Sequence, residues 1–265
     1  LTRLATVILA YNEQDHIADC IASLKFADVV VVIDSYSTDQ TVSLAQQAGA
    51  TVIQNPFENY AQQRNAALKM VEDYADWVLF VDADERVTDE LAQEVRSVIN
   101  LTGDYEGWQI PRHNYIFGHL VRGAGWYPDY QLRLLKVGSA HYEPKRKVHE
   151  VVILNGGEPA LGTLQNPLIH YNYQDADQFA LKQRKYTAYE AKIMYEQGIR
   201  PKPQNYILQP LRHFRWRFIT LKGYQDGWIG FRLSALMAWY EFKKYLILRG
   251  LWQKGRSVQS PHDKS

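Results

Sequence analysis

Cysteine is almost missing from this 265-residue sequence. The lone Cys20 cannot close an intramolecular disulfide and has no second thiolate for a structural zinc site, so a reducing compartment is favoured. Long hydrophobic runs are missing as well. No stretch reaches about 18 uncharged apolar residues and no charged-then-apolar leader opens the chain, so neither a spanning helix nor secretion is expected. Leu1 is not an initiator methionine, which leaves room for a short preceding piece. Internal repeats and low-complexity segments are absent too. With 46% hydrophobic residues the chain can bury a substantial core, in one large or two modest domains, and is not a disordered polymer.

A net charge of either sign is lacking, since 30 Lys+Arg against 29 Asp+Glu leave +1. The balance hides an asymmetry. Residues 211–265 carry 11 basic and 3 acidic side chains, so this tail holds +8 against −7 for the rest, and its expected partners are anionic. Aromatics are plentiful, with 7 Trp and 18 Tyr. They suit sugar stacking, an interfacial belt or a large core.

The pattern is organised around WVLFVDADE, residues 77–85. Five apolar residues, Trp77 to Val81, read as a strand buried on both faces, with Asp82, Ala83 and Asp84 at its end. Ligands of open α/β sheets collect at that edge. Two carboxylates separated by one small residue can present oxygens to a hard divalent cation, which in turn holds a diphosphate. The same pair also serves elsewhere as a turn former or helix cap.

Leu4 to Ala10, Val29 to Ile33 and Thr51 to Ile53 read as three earlier strands. Helical spacing separates them, with Ile17, Cys20, Ile21 and Leu24 first. Ser37 or Thr38 is expected to cap a second helix ending at Ala48, and residues 60–71 form a third with Ala67, Leu68 and Val71 inward. Four strands alternating with helices indicate a parallel, doubly wound sheet. Thr88 can cap a further helix. From Gly107 short strands take over: residues 107–112, a loop at 113–129, a strand at 130–136, and a pair around His141 and Val148 to Leu154. From Asp175 the chain reads as helical, with Phe179, Tyr186, Tyr189 and Ile193 on one face. Two basic, aromatic helical stretches follow at about 207–222 and 227–248, and Pro201 and Pro203 mark a linker.

TVILAYNEQDHI (6–17), VVVIDSYSTDQT (30–41), QRN (63–65), FVDADE (80–85), GWYPDYQLRL (125–134) and VHE (148–150) occur in an order that resembles the inverting family-two glycosyltransferases of the GT-A fold. Within that family the sequence is similar to the lipopolysaccharide-core glucosyltransferase group. The resemblance implies a Rossmann-like, mostly parallel central sheet with a β-rich second half and a C-terminal helical region. The catalytic domain would span residues 1–172, its nucleotide-sugar half about 1–103 and its acceptor half about 104–172, followed by a helical tail at 173–265. It also implies that Ala10, Tyr11, Asn12, Glu13, Asp34 and Ser35 hold the nucleotide. At a strand end the Asp34 carboxylate can accept from a uracil N–H or a ribose hydroxyl, or serve as a turn acceptor for Ser37 or Thr38. Arg64 and Asn65 either touch the donor or, for Arg64, form part of a solvated helix face. Ala83 and Arg133 are counted with the donor-binding set.

By the same resemblance Asp82 faces ribose or a metal-bound water, and Asp84 ligates Mn²⁺ or Mg²⁺. His149 matches a late metal or phosphate ligand, although His141 and His170 are histidines of the same kind. Glu85 could pair with Arg86. Asp129, followed by Leu132 and Arg133, matches the catalytic carboxylate, with Pro128 in place of the usual first acid and Glu150 as the alternative base. Gly123 and Gly125 would let the backbone approach the sugar and diphosphate. The expectation is a cytoplasmic, metal-dependent enzyme at the inner membrane face, moving a hexose from a UDP-type donor to a lipid-linked or lipopolysaccharide-type acceptor. An anionic membrane surface is an expected partner, a homo-oligomer is allowed and nucleic acid is not expected. The alternatives are a nucleotidyltransferase making nucleotide sugars, for which AYNEQ offers no Gly-rich phosphate loop, and an inactive binding or scaffold module.

Overall fold

The computed structural model describes residues 2–101, 103–143 and 151–258. In chain order its strands are β1 (Leu4–Ala10), β2 (Val29–Asp34), β3 (Thr51–Gln54), β4 (Trp77–Asp82), β5 (Glu85–Arg86), β6 (Gly107–Ile116), β7 (His119–Val121), β8 (Tyr130–Lys136), β9 (Ala140–Tyr142), β10 (Val152–Leu154), β11 (Leu161–Thr163) and β12 (Leu168–Tyr173). Its α-helices are α1 (Ile17–Ala22), α2 (Thr41–Gln47), α3 (Tyr60–Val71), α4 (Asp89–Val98), α5 (Ala176–Glu196), α6 (Asn205–Arg215) and α7 (Gly227–Val258). Two compact units result. One takes the chain up to His113 together with Asp129–Tyr171, and the other takes Asn114–Pro128 together with everything from Asn172.

The first unit is a mixed sheet whose strands β3, β2, β1 and β4 lie side by side and parallel. β8 joins β4 antiparallel, and β6 follows it. The expected fold class is therefore observed, with a Rossmann-like half first and a β-rich half after it. Register explains why the site collects at one edge. Ala10 aligns with Asp34 and Leu9 with Asp82, so three strand ends finish level. β8 runs the opposite way, with Leu79 opposite Leu134, and so begins where β4 stops.

Alternation along the central strands feeds two cores. Leu4, Ile8, Leu79 and Val81 pack with Ile17, Cys20, Leu24, Leu91 and Val95. Ala5, Val7, Val31, Val78 and Phe80 pack on the other face with Ala61, Ala67 and Val71 of α3. Each large side chain fully buried in this way contributes about 1.5–3 kcal/mol of transfer free energy, which fixes the sheet edge beneath the site. Helix starts follow side-chain caps at Asn59, Thr88 and Asp175, each accepting from the backbone N–H three residues on.

The second unit contains the β7 hairpin and helices α5, α6 and α7. β6 continues to Ile116 and pairs with β7, so the segment 113–129 is partly strand rather than loop throughout. Neither Ser37 nor Thr38 caps α2. That helix begins at Thr41, whose N–H is bound by Asp39, because Ser37 is held at the end of β2 by Asp34. The buried stripe of α5 is Phe179, Gln183, Thr187 and Ala191, while Tyr186 and Tyr189 are exposed. Gln183 can be buried because its amide donates to the Tyr173 hydroxyl at 3.2 Å.

Candidate active site

Two loops leave the ends of β1 and β2 and are joined by hydrogen bonds. Asn12, at φ 55°, donates its N–H to Ser37 Oγ at 2.9 Å, and its side-chain oxygen accepts from Thr38 N at 2.8 Å. Glu13 N donates to Thr41 Oγ1 and Ser35 N to the Ala10 carbonyl. Asp34 is fully buried and organises this turn, accepting from the Ser37 N–H and hydroxyl and from Gln54 Nε2. Of the expected nucleotide residues, Tyr11 and Asn12 are exposed, Glu13 and Ser35 half-buried, and Ala10 and Asp34 inside. Two residues inside the quoted motifs but given no role there adjoin this turn: Tyr36, exposed at φ 60°, and Gln63, whose amide donates to Ser35 Oγ at 3.2 Å.

Arg64 and Asn65 point to different tasks. Asn65 clamps β9, donating to the Tyr142 carbonyl and accepting from the Tyr142 N–H, each at 2.8 Å. Arg64 is buried rather than solvated and lies 5.0 Å from the centroid of the Phe80 ring, with NH2 3.3 Å from Asp82 Oδ1.

Asp82 begins a ladder of charges. Arg133 donates NH1 to Asp82 Oδ1 at 3.2 Å and NH2 to Oδ2, and the same NH2 lies 3.3 Å from Glu85 Oε1. Arg112 NH1 reaches Glu85 Oε1 at 3.2 Å, while its Nε and NH2 donate to Asp129 Oδ2 at 2.9 and 2.6 Å. Gln131 Nε2 holds Asp129 Oδ1 at 2.8 Å. The surrounding protein disfavours charge on Asp82, but Arg133 and Arg64 outweigh it and hold the carboxyl well below the usual carboxylate range. Burial disfavours charge on Arg133, and Asp82 and Glu85 reverse that too, so the guanidinium stays protonated. Glu85 does not pair with Arg86, whose NH1 is engaged by the Ala83 and Glu85 carbonyls.

Asp84, beyond Ala83, has another neighbour. His170 Nε2 lies 3.5 Å from Asp84 Oδ2, and Tyr171 N donates to the Asp84 carbonyl at 2.9 Å. His141 is exposed on β9, whereas His149 and Glu150 lie outside the described residues. Among the described residues no group of three or more His, Cys, Asp or Glu side chains is arranged to hold a metal. A carboxylate and an imidazole are nevertheless suitable donors for Mn²⁺, and a divalent ion at a diphosphate commonly takes only one or two carboxylates from protein. The pair Asp84 and His170 fits that requirement. Asp82 is committed to arginines.

In the second unit Gly123 and Gly125 serve packing. A Cβ on Gly123 would stand 2.4 Å from the Lys222 carbonyl oxygen, and Gly125 sits at φ 82° with Leu221 2.9 Å from where its Cβ would be. Asp226 binds the N–H groups of Arg122 and Gly123 at 2.8 and 2.7 Å. Cys20 is buried, and burial pushes its thiol far above the usual range.

Known proteins match this outline. Residues 6–140 match the family model for glycosyl transferase family 2. The lipopolysaccharide core biosynthesis glycosyltransferase LpsC of Rhizobium meliloti is 29% identical over 246 residues, covering 90% of this chain and 89% of that protein. An uncharacterized glycosyltransferase of Rickettsia prowazekii is 28% identical over 275 residues, covering 97% and 90%. Among solved structures, glucosyl-3-phosphoglycerate synthase from Mycobacterium tuberculosis, in complex with Mn²⁺, UDP and glucosyl-3-phosphoglycerate, gives a TM-score of 0.48 at 18% identity, over 76% of this chain and 82% of that one. The family match spans half of the chain and takes in the strand ends, the acidic cluster and the Asp129 frame, so this chain is a glycosyltransferase and belongs to glycosyl transferase family 2.

Proposed function

We propose that this glycosyltransferase is a divalent-metal-dependent, inverting enzyme that moves a hexose from a UDP-type donor to a lipid-linked or lipopolysaccharide-type acceptor. The observation that carries the reading is that the segment following β4 bears both the Asp84 carboxylate, 3.5 Å from His170, and Glu85, which is joined through Arg112 to the clamped Asp129 carboxylate. Asp129, with about a quarter of its side chain exposed (26%), takes the proton of the acceptor hydroxyl. That oxygen bonds to the anomeric carbon on the face opposite the diphosphate, and the diphosphate departs with the electron pair of the broken C–O bond. Asp84 and His170 are the residues that would hold Mn²⁺ or Mg²⁺, whose chemistry there is to neutralise charge on the leaving group. LpsC, a lipopolysaccharide core biosynthesis enzyme, supports the acceptor class.

The helical unit supports an anionic membrane surface as partner. Ile207, Leu208, Leu211, Trp216 and Ile219 are exposed along one stripe of α6 and the turn after it, interleaved with exposed Arg212 and Arg215. Trp228 (74% exposed) and Trp239 (50%) project from α7. Both acids between residues 205 and 254 are occupied. Asp226 binds backbone N–H groups and Glu241 pairs with Lys244 at 2.7 Å, so the outward charge here is positive. No helix among the described residues is long and apolar enough to cross a membrane.

The test is a screen of UDP- and GDP-hexoses with lipopolysaccharide-core acceptors, with and without a chelator. Metal-dependent UDP release, with an inverted anomeric centre by NMR, is the expected result. Turnover unaffected by chelator, or retention of configuration, would overturn it.

A further inference from the structure

We propose that Arg112, anchored by the buried Glu85, is a positioning residue that holds Asp129 in its working orientation. This inference deepens the reading of Asp129 as base and rests on it. Arg112 lies in none of the motifs that carry the resemblance, and Glu85, the last residue of FVDADE, is assigned no role there beyond a pairing with Arg86.

Arg112 grips residue 129 at two levels. Its backbone N–H donates to the Asp129 carbonyl at 2.9 Å, and its Nε and NH2 both donate to Oδ2, holding that oxygen as well as the main chain. Gln131 supplies the opposing contact on Oδ1. An aspartate at the start of a strand would otherwise rotate freely about χ1 and χ2, and misplacing a catalytic group by about 1 Å can cost on the order of 10²-fold in rate.

The third nitrogen of the fork explains what steadies the arginine. NH1 lies 3.2 Å from Glu85 Oε1, and the Glu85 side chain is 0% exposed, so it cannot meet either substrate. Glu85 Oε2 accepts the Asp82 N–H at 2.9 Å, and Oε1 also faces Arg133. A carboxylate with no access to water is costly unless paired on both oxygens, and here its pairing connects the end of β4 to the base. Glu85 therefore joins the donor side of the site to the acceptor side through Arg112. A lysine at 112 could satisfy the charge but not the fork.

The experiment is a double-mutant cycle on the full chain, using the UDP-hexose most active in the screen and following UDP release. Asp129→Asn and Arg112→Ala are each expected to lower kcat, the first by about 10²- to 10⁴-fold and the second by about 10- to 100-fold, with donor KM within a few-fold. Combined, they should be no slower than Asp129→Asn alone, because Arg112 acts only through that carboxylate. Millimolar guanidinium should restore part of the Arg112→Ala turnover and none in Asp129→Asn. If Arg112→Ala fails to fold by circular dichroism, Arg112→Lys takes its place in the cycle, with the same loss of kcat expected. An equal cost of the Arg112 change in both backgrounds would overturn the positioning role while leaving Asp129 as base. Normal turnover by Asp129→Asn would overturn the base assignment itself.

Discussion

Replacing Arg133 by methionine tests whether the charge ladder is part of the folded core. Arg133 is 5% exposed and faces both Asp82 and Glu85, so its removal strips a cation from two carboxylates at once. Breaking a buried pair by removing one partner costs about 3–5 kcal/mol, because the other charge stays behind uncompensated. Two features place the cost at the lower end: Glu85 keeps Arg112, and Asp82 keeps Arg64 and a side chain 35% exposed. A loss of about 3 kcal/mol is expected, and with a urea dependence of about 3 kcal/mol per molar the midpoint should fall by about 1 M. Methionine preserves much of the volume, so little of this can be cavity. Adding Asp82→Asn to Arg133→Met should cost less than the sum of the two single changes, since each removes the other's unpaired partner. A loss below about 1 kcal/mol, the level of an exposed surface pair, would mean that solvent screens the ladder and that the sheet edge is held by apolar packing alone.

Asp84→Asn should leave the fold intact and weaken UDP binding in the presence of Mn²⁺ by at least about 10-fold, the effect expected for losing a hard anionic ligand. Titration calorimetry with UDP and Mn²⁺ measures this, and unchanged affinity in a folded variant would remove Asp84 from the metal site. Asp82 links stability to acid. Its carboxyl is held low in the folded protein, so its contribution is complete above the unfolded value of about 3.9 and declines as the pH falls below that. Urea midpoints between pH 5 and 2.5 should drop less steeply in Asp82→Asn than in the parent, and parallel curves would count against it. For the helical unit, Arg212→Gln with Arg215→Gln should remove about 2 kcal/mol of attraction to an anionic leaflet, or roughly 30-fold in vesicle partitioning at low salt. Flotation with phosphatidylserine vesicles reads the change, and equal flotation of variant and parent would favour a protein partner for that face.

The sheet was legible because β1, β2 and β4 are largely apolar runs of six or seven residues, rich in β-branched and aromatic side chains, too short for a buried helix and suited to a strand covered on both faces. Thr88 and Asp175 announced their helices for an equally local reason. What the sequence concealed depends on tertiary capture. Ser37 looked like a helix cap, yet Asp34 is buried three residues earlier and takes both its N–H and its hydroxyl. Tyr186 and Tyr189 looked like the inward face of α5, yet a phenol tolerates water and Gln183 had a hydroxyl to meet inside. β11 and β12 have too few alternating residues to stand out, and they exist because β6 offered an edge to extend.

The site divides along the same line. Strand ends are local, so Asp34, Asp82 and Asp84 could be singled out from their positions, whereas Asp129 was singled out by its resemblance to the family frame. Their partners are not local: Arg64 comes from 18 residues before Asp82, Arg133 from 51 after it, and Arg112 from 17 before Asp129. Spacing carries no signal for such pairings. Glu85 is the clearest case, because adjacency proposes Arg86 as its partner while the fold supplies Arg112 and Arg133 instead. The resulting charge count bears on the proposed chemistry. Within the ladder Arg64, Arg133 and Arg112 face Asp82, Glu85 and Asp129, three cations against three anions, each already engaged. Asp84 adds a fourth carboxylate at the same strand end, so these seven described side chains together carry one net negative charge. On the proposed metal site at Asp84, attraction between this edge and a nucleotide diphosphate is expected to rise with divalent cation, and mutating Asp84 should flatten that dependence more than mutating any one arginine of the ladder.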